Sequence, residues 1–359
     1  MITTPSSRGK NAALLIAGIL MIATTLRVTF TGAAPLLDAI RADYGLSTAQ
    51  TGLLTTLPLL AFALVSPLAA AVARRWGIER SLFAAMLLIC VGIAIRSLPS
   101  SGFLFSGTAI IGCGIALGNV LLPGLIKRDF SQHVAKLTGA YSLTMGAAAA
   151  LGSAIVVPLA LNGFGWRGAL MVLMAFPLLA LIIWLPQCRQ TAHASLSNSR
   201  ALHSRAIWRS GLAWQVTLFL GINSLVYYVI IGWLPAILIS HGYSESQAGS
   251  LHGLLQLATA APGILIPLVL NRFKDQRAIA ALVSLMCAVG AAGFAIMPDL
   301  SGMAQSVGYL LAACGPPLMG KIHDLNGSWL IPLTGVAVLA MLMAVFGLCA
   351  GRNREIASA

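Results

Sequence analysis

Long apolar stretches dominate this sequence, and each is long enough to cross a lipid bilayer. A spanning helix needs about 20 apolar residues, and these stretches lack the polar–apolar alternation of barrel strands. Only 9% of the residues are charged, whereas a soluble protein carries about 25% charged residues. The sequence therefore predicts an all-α polytopic membrane protein. Its eleven candidate spans cover residues 12–34, 49–73, 81–98, 102–126, 138–160, 167–186, 212–238, 248–270, 279–297, 302–320 and 329–350.

The basic residues are distributed unequally between the gaps that separate these spans. Of the 22 Lys and Arg residues, 17 occupy the two tails and every second gap, four lie in the other gaps or at the span ends that border them, and Arg27 alone lies well inside a span. This asymmetry is the positive-inside pattern of membrane proteins. It predicts a cytoplasmic N-terminus and a cytoplasmic 187–210 loop. The net charge of +13 is thus a mark of topology, and no nucleic-acid partner is expected, since that requires basic clusters on a polar surface.

Two of the basic clusters follow the second and eighth spans. One interpretation gives them a role in gating or lipid contact, and the other gives them a role in topology alone, which the asymmetry already requires. The residues are Arg74, Arg75, Arg80, Arg272, Lys274 and Arg277.

The chain contains an internal repeat on either side of the 187–210 loop. The sequence Gly45-Leu-Ser-Thr-Ala-Gln-Thr-Gly is matched 197 residues later by Gly242-Tyr-Ser-Glu-Ser-Gln-Ala-Gly. Repeated halves of about six spans are typical of secondary transporters. We therefore expect an N-terminal half at 1–186, a cytoplasmic linker at 187–210 and a C-terminal half at 211–359.

The second half is shorter than the first. Leu161-Asn162-Gly163 resembles Leu325-Asn326-Gly327, and the repeat offset has by then fallen from 197 to about 164 residues. The loss lies between about 298 and 302, where the first half has its whole fourth span and a basic loop. We expect an internal deletion of the tenth span of a twelve-span parent. Either the last two spans then run reversed, or one segment does not span.

Arg27 is a charged residue near the middle of the first span. A basic side chain at this depth costs about 2.5–3.5 kcal/mol on insertion scales. Thr24 and Thr31 share its helix face. The functional interpretation is a cationic anchor for an anionic or nitro-bearing substrate, since a guanidinium presents planar paired donors. The alternative is a structural Arg bonded to backbone carbonyls. No Asp or Glu lies inside a predicted span.

Polar residues in the fourth and seventh spans are further candidates for substrate binding. Asn223 and Tyr227 share one helix face, and Tyr228 follows. Aromatic and amide groups in a cavity can stack on a flat heterocycle and hydrogen-bond its polar edge, whereas the alternative for the tyrosines is an interfacial aromatic belt. Asn119 is either a cavity group or a helix–helix bond.

No pattern in the chain indicates catalysis or a cofactor. The six cysteines stand alone without ligand-like spacing, so neither a metal site nor a disulfide is expected. No P-loop, HExxH or GxSxG motif occurs. We expect a protein that is not an enzyme.

These features resemble the major facilitator superfamily. The resemblance rests on the two six-span halves, on the turn Gly165-Trp-Arg-Gly168 before span six, and on a partial loop signature at Ala70–Arg80 that keeps Gly77 but lacks the family's Asp. Apart from the gap, the whole chain resembles the cyanate permease family within it. The resemblance implies a two-half helical bundle, with about eleven spans here against twelve, whose spans one, four, seven and ten line a central cavity.

The sequence therefore predicts a secondary active transporter in the bacterial inner membrane. It is expected to move a small anion or polar heterocycle by alternating access, acting as a monomer in the lipid bilayer without cofactors. Whether transport is coupled to a proton is left open. The alternative is a transport-impaired deletion variant that still inserts in the membrane.

Overall fold

The computed structural model describes residues 5–189 and 211–260, together with the isolated positions 318, 321–322, 324–326, 331, 334–335 and 338–339. Every regular element over these residues is helical, which confirms the all-α class. Arg272, Lys274, Arg277 and the interval at 298–302 lie outside the described residues, as do most of the last three predicted spans. The count of eleven spans remains a prediction.

Ten α-helices have described bounds. Nine of them overlap the first eight predicted spans, the eighth of which is described only to Ala260, and α2 lies in the gap after the first span. The helices are α1 (Pro5–Thr31), α2 (Leu37–Tyr44), α3 (Thr48–Trp76), α4 (Ile78–Arg96), α5 (Ser101–Asp129), α6 (Val134–Leu159), α7 (Gly165–Val172), α8 (Ala175–Trp184), α9 (Gly211–Ser240) and α10 (Glu245–Ala260). A 3-10 turn, Ala34–Leu36, joins α1 to α2.

Six described segments are long and apolar enough to cross a membrane. The segment Lys136–Cys188 has 53 residues, more than twice the length of a single crossing. It is interrupted by the turn Ala160–Phe164, where Gly163 has φ of 98° and the following Gly165 has φ of 60°. This backbone region favours glycine. The segment therefore consists of two helical arms, α6 and α7–α8.

The repeated Gly-x-Ser-x-x-Gln sequence forms the same local structure at both of its sites. The φ angles of Gly45 and Gly242 are both positive, at 63° and 91°. Before α3, the Ser47 hydroxyl accepts a hydrogen bond from Gln50 N at 3.1 Å, and Ser47 N donates to Gln50 Oε1 at 2.9 Å. Before α10, Ser244 and Gln247 make the same two bonds at 3.2 and 3.0 Å. Both helices thus begin with a capping box.

The second repeated sequence is also a structural repeat. Asn162 Nδ2 donates to the carbonyl of Pro158 at 2.8 Å, and Asn326 Nδ2 donates to the carbonyl of Ile322 at 2.8 Å. In each case the amide bonds a carbonyl four residues earlier in the chain. The two sites thus share local geometry as well as sequence.

Contacts group the described residues into two units, and the first contains 5–44, 68–189 and 234–260. Within it α1 packs against α6 and α8. Successive contacts of α1 with α6, at Val28–Gly152 and then Gly32–Val156, show that the two helices run parallel. The contact of Gly18 with Trp184 places the end of α8 beside the first half of α1, so α8 runs the other way. The helix α6 belongs to the fifth predicted span and α8 to the sixth, so these directions are those expected of successive membrane crossings.

The helices α4 and α5 form the closest antiparallel pair of the first unit. A Cβ atom added at Gly107 would lie 2.6 Å from the carbonyl oxygen of Gly92 and even nearer to the backbone nitrogen of Arg96. Small residues permit this kind of backbone approach in membrane helices. Arg96, which the sequence placed in an outer gap, is the last residue of α4 and is buried.

The second unit contains the described residues 45–67 and 211–233 together with the isolated positions from 318 onward. Within it, Gly232 of α9 faces Thr55 of α3 at an ordinary van der Waals distance. The start of α3 is bonded in this unit too, since Ala49 N donates to Asp324 Oδ2 at 3.2 Å. The predicted division into halves at 1–186 and 211–359 remains a prediction.

The α4–α5 contact leads to a stability prediction. Replacing Gly107 with Ala should lower the free energy of unfolding by about 1–3 kcal/mol, because the new methyl group overpacks a backbone contact. Thermal unfolding of the protein in detergent measures this loss. Gly124→Ala is the matched control on the same helix, since nothing lies within 4 Å of a Cβ there. Equal stability of the two variants would contradict the close packing.

Candidate substrate site

Arg27 lies on α1 at the middle of the apolar segment Ala12–Tyr44. Its side chain is half-buried, while its neighbours Leu26 and Val28 are fully buried. Thr31 Oγ1 donates to the carbonyl oxygen of Arg27 at 3.0 Å, so the helix is continuous through this position. The structure thus places the charge at mid-segment on a regular helix, and not at a break in α1.

The threonines near Arg27 bond their own helix. Thr24 Oγ1 donates to the carbonyl of Met21 at 2.7 Å, and Thr25 and Thr29 bond carbonyls four residues earlier. Such bonds satisfy the hydroxyl donors locally and bend a helix slightly. The predicted polar stripe therefore consists of locally satisfied hydroxyls around one cationic group.

Asn119 lies on α5 next to a contact of that helix with α1. A Cβ added at Gly118 would collide with the side chain of Leu26. Asn119 directly follows Gly118, and Arg27 directly follows Leu26. Both residues are half-buried. Whether Asn119 is a cavity group or forms a helix–helix bond remains a prediction.

Tyr141 on α6 is a residue that the sequence argument missed. The charge of Arg27 acts electrostatically on its phenol group, and its hydroxyl also interacts with Ser142. Tyr141 is the single tyrosine of the predicted fifth span, which is the signal that could have identified it. A phenol near a guanidinium extends the polar surroundings of Arg27 onto a third helix.

The three candidates of the seventh span lie on α9, in the second unit. Asn223 is exposed, Tyr227 is half-buried and Tyr228 is buried. The rings of Tyr227 and Tyr228 meet edge to face, with centroids 5.2 Å apart and an angle of 77° between their planes. Whether these tyrosines line a cavity or belong to an interfacial aromatic belt remains a prediction.

Of the predicted gating residues, Arg74, Arg75 and Arg80 are exposed on either side of Gly77, where α3 ends and α4 begins. The residue that the sequence argument missed here is Glu79. Its buried carboxylate accepts a hydrogen bond from Arg128 Nη2 at 2.5 Å, which ties the start of α4 to the end of α5.

The same end of the first unit is held by further bonds to this cluster. Asp129 binds Arg128 through Nε at 2.6 Å and Nη2 at 2.8 Å. Trp184 Nε1 donates to the backbone carbonyl of Glu79 at 2.9 Å, which adds the end of α8. We call Glu79, Arg128, Asp129 and Trp184 the α4-start cluster.

A second ionic cluster joins helices at the opposite end of the first unit. Arg167 Nη2 bonds Asp43 Oδ2 at 2.7 Å and Tyr44 Oη at 3.2 Å, and the Trp166 indole donates to Asp43 at 3.1 Å. The guanidinium of Arg167 also lies 4.6 Å from the centre of the Trp166 ring, within cation–π range. The Gly165-Trp-Arg-Gly168 turn therefore joins α7 to the end of α2.

No group of three or more His, Cys, Asp or Glu side chains that could hold a metal ion occurs in the part of the chain that the structure describes. The mid-membrane polar groups are instead a cation, amides and phenols. A polytopic helical bundle of this kind is typical of secondary transporters.

Comparison with known proteins agrees with this class. The Major Facilitator Superfamily model matches residues 14–311, and the chain belongs to that superfamily. It is 73% identical to the 2-nitroimidazole transporter of Escherichia coli (strain K12) over 392 aligned positions, which cover 99% of this chain and 100% of the relative. The cyanate transport protein CynX of the same strain is 26% identical, over 87% of this chain and 91% of the relative.

Solved structures show the same fold. The crystal structure of a D-xylose-proton symporter matches with a TM-score of 0.59 at 15% identity, over 95% of this chain and 89% of that one. The protein is thus a multi-pass membrane transporter of the secondary class, and it is not an enzyme. The comparisons do not favour the alternative of a transport-impaired variant.

The α4-start cluster leads to a second stability prediction. Replacing Glu79 with Gln should lower the free energy of unfolding by about 1.5–3 kcal/mol, because a buried charge-assisted hydrogen bond to Arg128 is lost. Denaturation of the purified protein in detergent measures the loss. Asp129→Asn removes the exposed partner of the same guanidinium and should cost less than about 1 kcal/mol. A larger loss in Asp129→Asn than in Glu79→Gln would contradict the assignment.

Proposed function

We propose that this transporter moves a small polar heterocycle of the 2-nitroimidazole type, or a small anion, with Arg27 as the cationic anchor. The relatives that support these substrate classes are the 2-nitroimidazole transporter and the cyanate transport protein. A nitro group and a small anion both present electron-rich atoms to a planar pair of N–H donors. The same guanidinium can therefore bind substrates of both classes.

The observation that carries the proposal is the position of Arg27. A charged side chain at mid-membrane depth is costly and is functional by default. Its helix is regular and its neighbours are buried, so the guanidinium has no structural role in a helix break. Binding of a substrate by the guanidinium would explain why a charged residue lies at this depth.

The remaining candidates supply the apolar and polar contacts of the proposed site. The rings of Tyr227 and Tyr228 offer faces for stacking on a flat heterocycle, and the amides of Asn119 and Asn223 offer hydrogen bonds to its polar edge. All of these residues belong to the first, fourth and seventh spans. Those are three of the four cavity-lining spans that the family resemblance implies.

Substitution of Arg27 tests the anchor. In cells expressing the chain, Arg27→Ala should reduce 2-nitroimidazole transport at least about tenfold, since charge-assisted hydrogen bonds contribute about 1.5–3 kcal/mol. Arg27→Lys keeps the charge but loses the planar donors, so it should retain an intermediate rate. Labelled substrate in cells and the amount of protein in the membrane are both measured.

Arg41→Ala is the matched control, because it removes a second Arg of the same segment from the short helix α2. It should transport at the wild-type rate. Unchanged transport by Arg27→Ala would remove Arg27 from the mechanism. Inhibition of 2-nitroimidazole transport by cyanate, lost in Arg27→Ala, would place the anion at the same site.

We propose further that one chain acts alone in the bacterial inner membrane with its N-terminus in the cytoplasm, and that a proton is the coupling ion. The orientation is supported by the 17 basic residues that occupy the tails and alternate gaps. The antiparallel sequence of helices in the first unit is compatible with it. The coupling proton is supported by a buried histidine that is described in the next subsection.

The second half of the chain, on this proposal, lacks one span. The two structural repeats on either side of the short interval, at Ser47/Ser244 and Asn162/Asn326, support equivalent segments at unequal offsets. The relative's alignment supports a loss of the same size. It has 392 positions, whereas the chain has 359 residues, so at least 33 positions hold no residue of this chain.

Topology reporters test the orientation. A fluorescent reporter in the 187–210 loop should be active, and a phosphatase reporter there should be inactive, because the loop is cytoplasmic. An active phosphatase at this position would contradict the orientation. The same pair of reporters at the C-terminus shows whether the last two spans run reversed or one segment does not span.

A further inference from the structure

The contact between α6 and α10 brings two helix backbones unusually close. A Cβ atom added at Gly253 would lie 2.8 Å from the carbonyl oxygen of Ala150, and one added at Gly249 would lie 3.1 Å from the carbonyl oxygen of Ser153. These two glycines are four residues apart and therefore lie on one face of α10. Small residues at this spacing are typical of tightly packed membrane helices.

A polar cluster is enclosed at this contact. His252 and Ser153 are fully buried, and the His252 Nδ1 atom lies 3.0 Å from Ser153 Oγ. Gln256, one turn further along α10, is 1% exposed. A buried imidazole between two apolar helices is costly unless it is hydrogen-bonded, and this cluster supplies the bond.

His252 is the one histidine within a predicted span. It is also the kind of side chain whose charge changes between about pH 5 and 8. No Asp or Glu lies inside a predicted span, so the predicted spans offer no carboxylate for proton binding. His252, the fifth residue of the predicted span 248–270, is thus the one imidazole or carboxyl group within the predicted spans.

The titratable groups of the packed elements lie away from the ring. On α6, the contact residues from Ala150 to Val157 are neutral, and the titratable side chains of that helix are Lys136 and Tyr141 near its start. The turn Ala34–Leu36 also packs on α10 and is neutral, with Asp38 and Arg41 following on α2. On α10 itself, Glu245 is in the first turn.

We infer that His252 binds the coupling proton and that its protonation favours opening of the α6–α10 contact. The neutral ring bonds Ser153 in either tautomer, because a hydroxyl both donates and accepts. A proton from water on one side of the membrane binds the ring nitrogen lone pair and places a positive charge in the closed contact. Burial disfavours that charge, so the equilibrium shifts towards the state in which the ring meets water. Release of the proton to the other side restores the neutral, closed contact.

This inference rests on the proposed function, since it assigns a residue to the coupling step of that transport. The competing explanation is a static hydrogen bond that holds α10 to α6. The two explanations differ in their response to substitution. A static bond fails when either partner is removed, whereas a proton site fails only when the ring is removed.

The experiment compares three variants of the full chain in liposomes. His252→Asn keeps a polar group near the Nδ1 position but cannot be protonated. Ser153→Ala keeps the ring and removes the bond. His241→Asn is the matched control, because His241 lies exposed in the loop before α10 and bonds the carbonyl of Ile237 in α9. Uptake of labelled 2-nitroimidazole is measured under an imposed pH gradient and, separately, as exchange without a gradient.

We expect His252→Asn to lose gradient-driven accumulation at least about tenfold and to keep exchange within about threefold of wild type. His241→Asn should keep both activities, and Ser153→Ala should keep more gradient-driven accumulation than His252→Asn, because the ring remains. Gradient-driven accumulation by His252→Asn overturns the inference, and so does equal loss in Ser153→Ala. Wild-type exchange without gradient-driven accumulation also overturns it, while leaving the proposed substrate in place.

A second measurement tests the proton site without any substrate. Nitrogen-15 spectra of histidine-labelled protein are recorded across pH 5 to 9, and the signal absent from His252→Asn is assigned to His252. The inference requires this ring to titrate in that range. A ring that stays neutral throughout overturns the inference, even where 2-nitroimidazole transport itself fails.

Discussion

The charge of Arg27 in an otherwise apolar segment is the constraint on which this structure depends. The bilayer offers no water to a charged side chain or to an unpaired backbone group, so the chain folds as continuous helices and satisfies its hydroxyls locally. The threonines of α1 donate to backbone carbonyls three or four residues earlier in the same helix, and Arg27 is the one charged residue well inside a predicted span. That residue is half-buried, it follows Leu26, which contacts Gly118 of α5, and its charge acts on Tyr141 of α6.

The first unit is held firmly at its ends and along its glycine contacts. Glu79 and Arg128 tie α4 to α5 at one end, while Asp43 and Arg167 tie α2 to α7 at the other. Glycines allow the helices between these ends to approach at backbone distance. Rigid helix groups of this kind suit a transporter, because alternating access moves whole groups of helices about a fixed site. The polar His252–Ser153 bond lies at a glycine contact and differs from the ionic clusters in that its charge state can change.

Local patterns in the sequence predicted the parts of the structure that depend on local physics. The hydropathy pattern predicted the helices, and the repeated Gly-x-Ser-x-x-Gln motif formed the same capping box before α3 and α10, because both depend on residues a few positions apart. The ion pair of Glu79 with Arg128 joins residues 49 positions apart, and that of Asp43 with Arg167 spans 124 positions. Such pairs require the packed bundle, and no periodic pattern indicates them. For the same reason the sequence identified Arg27 by its depth but missed Tyr141.

The central claim is that a site at the level of Arg27 faces each side of the membrane in turn. Asn119, one residue beyond the α1–α5 contact, is the position to probe. In a variant with its six cysteines replaced and Asn119 changed to Cys, a membrane-impermeant thiol reagent is applied to either face of oriented vesicles. Alternating access predicts that the thiol reacts from both faces and that 2-nitroimidazole slows both reactions. Reaction from one face only, unaffected by 2-nitroimidazole, would contradict the account.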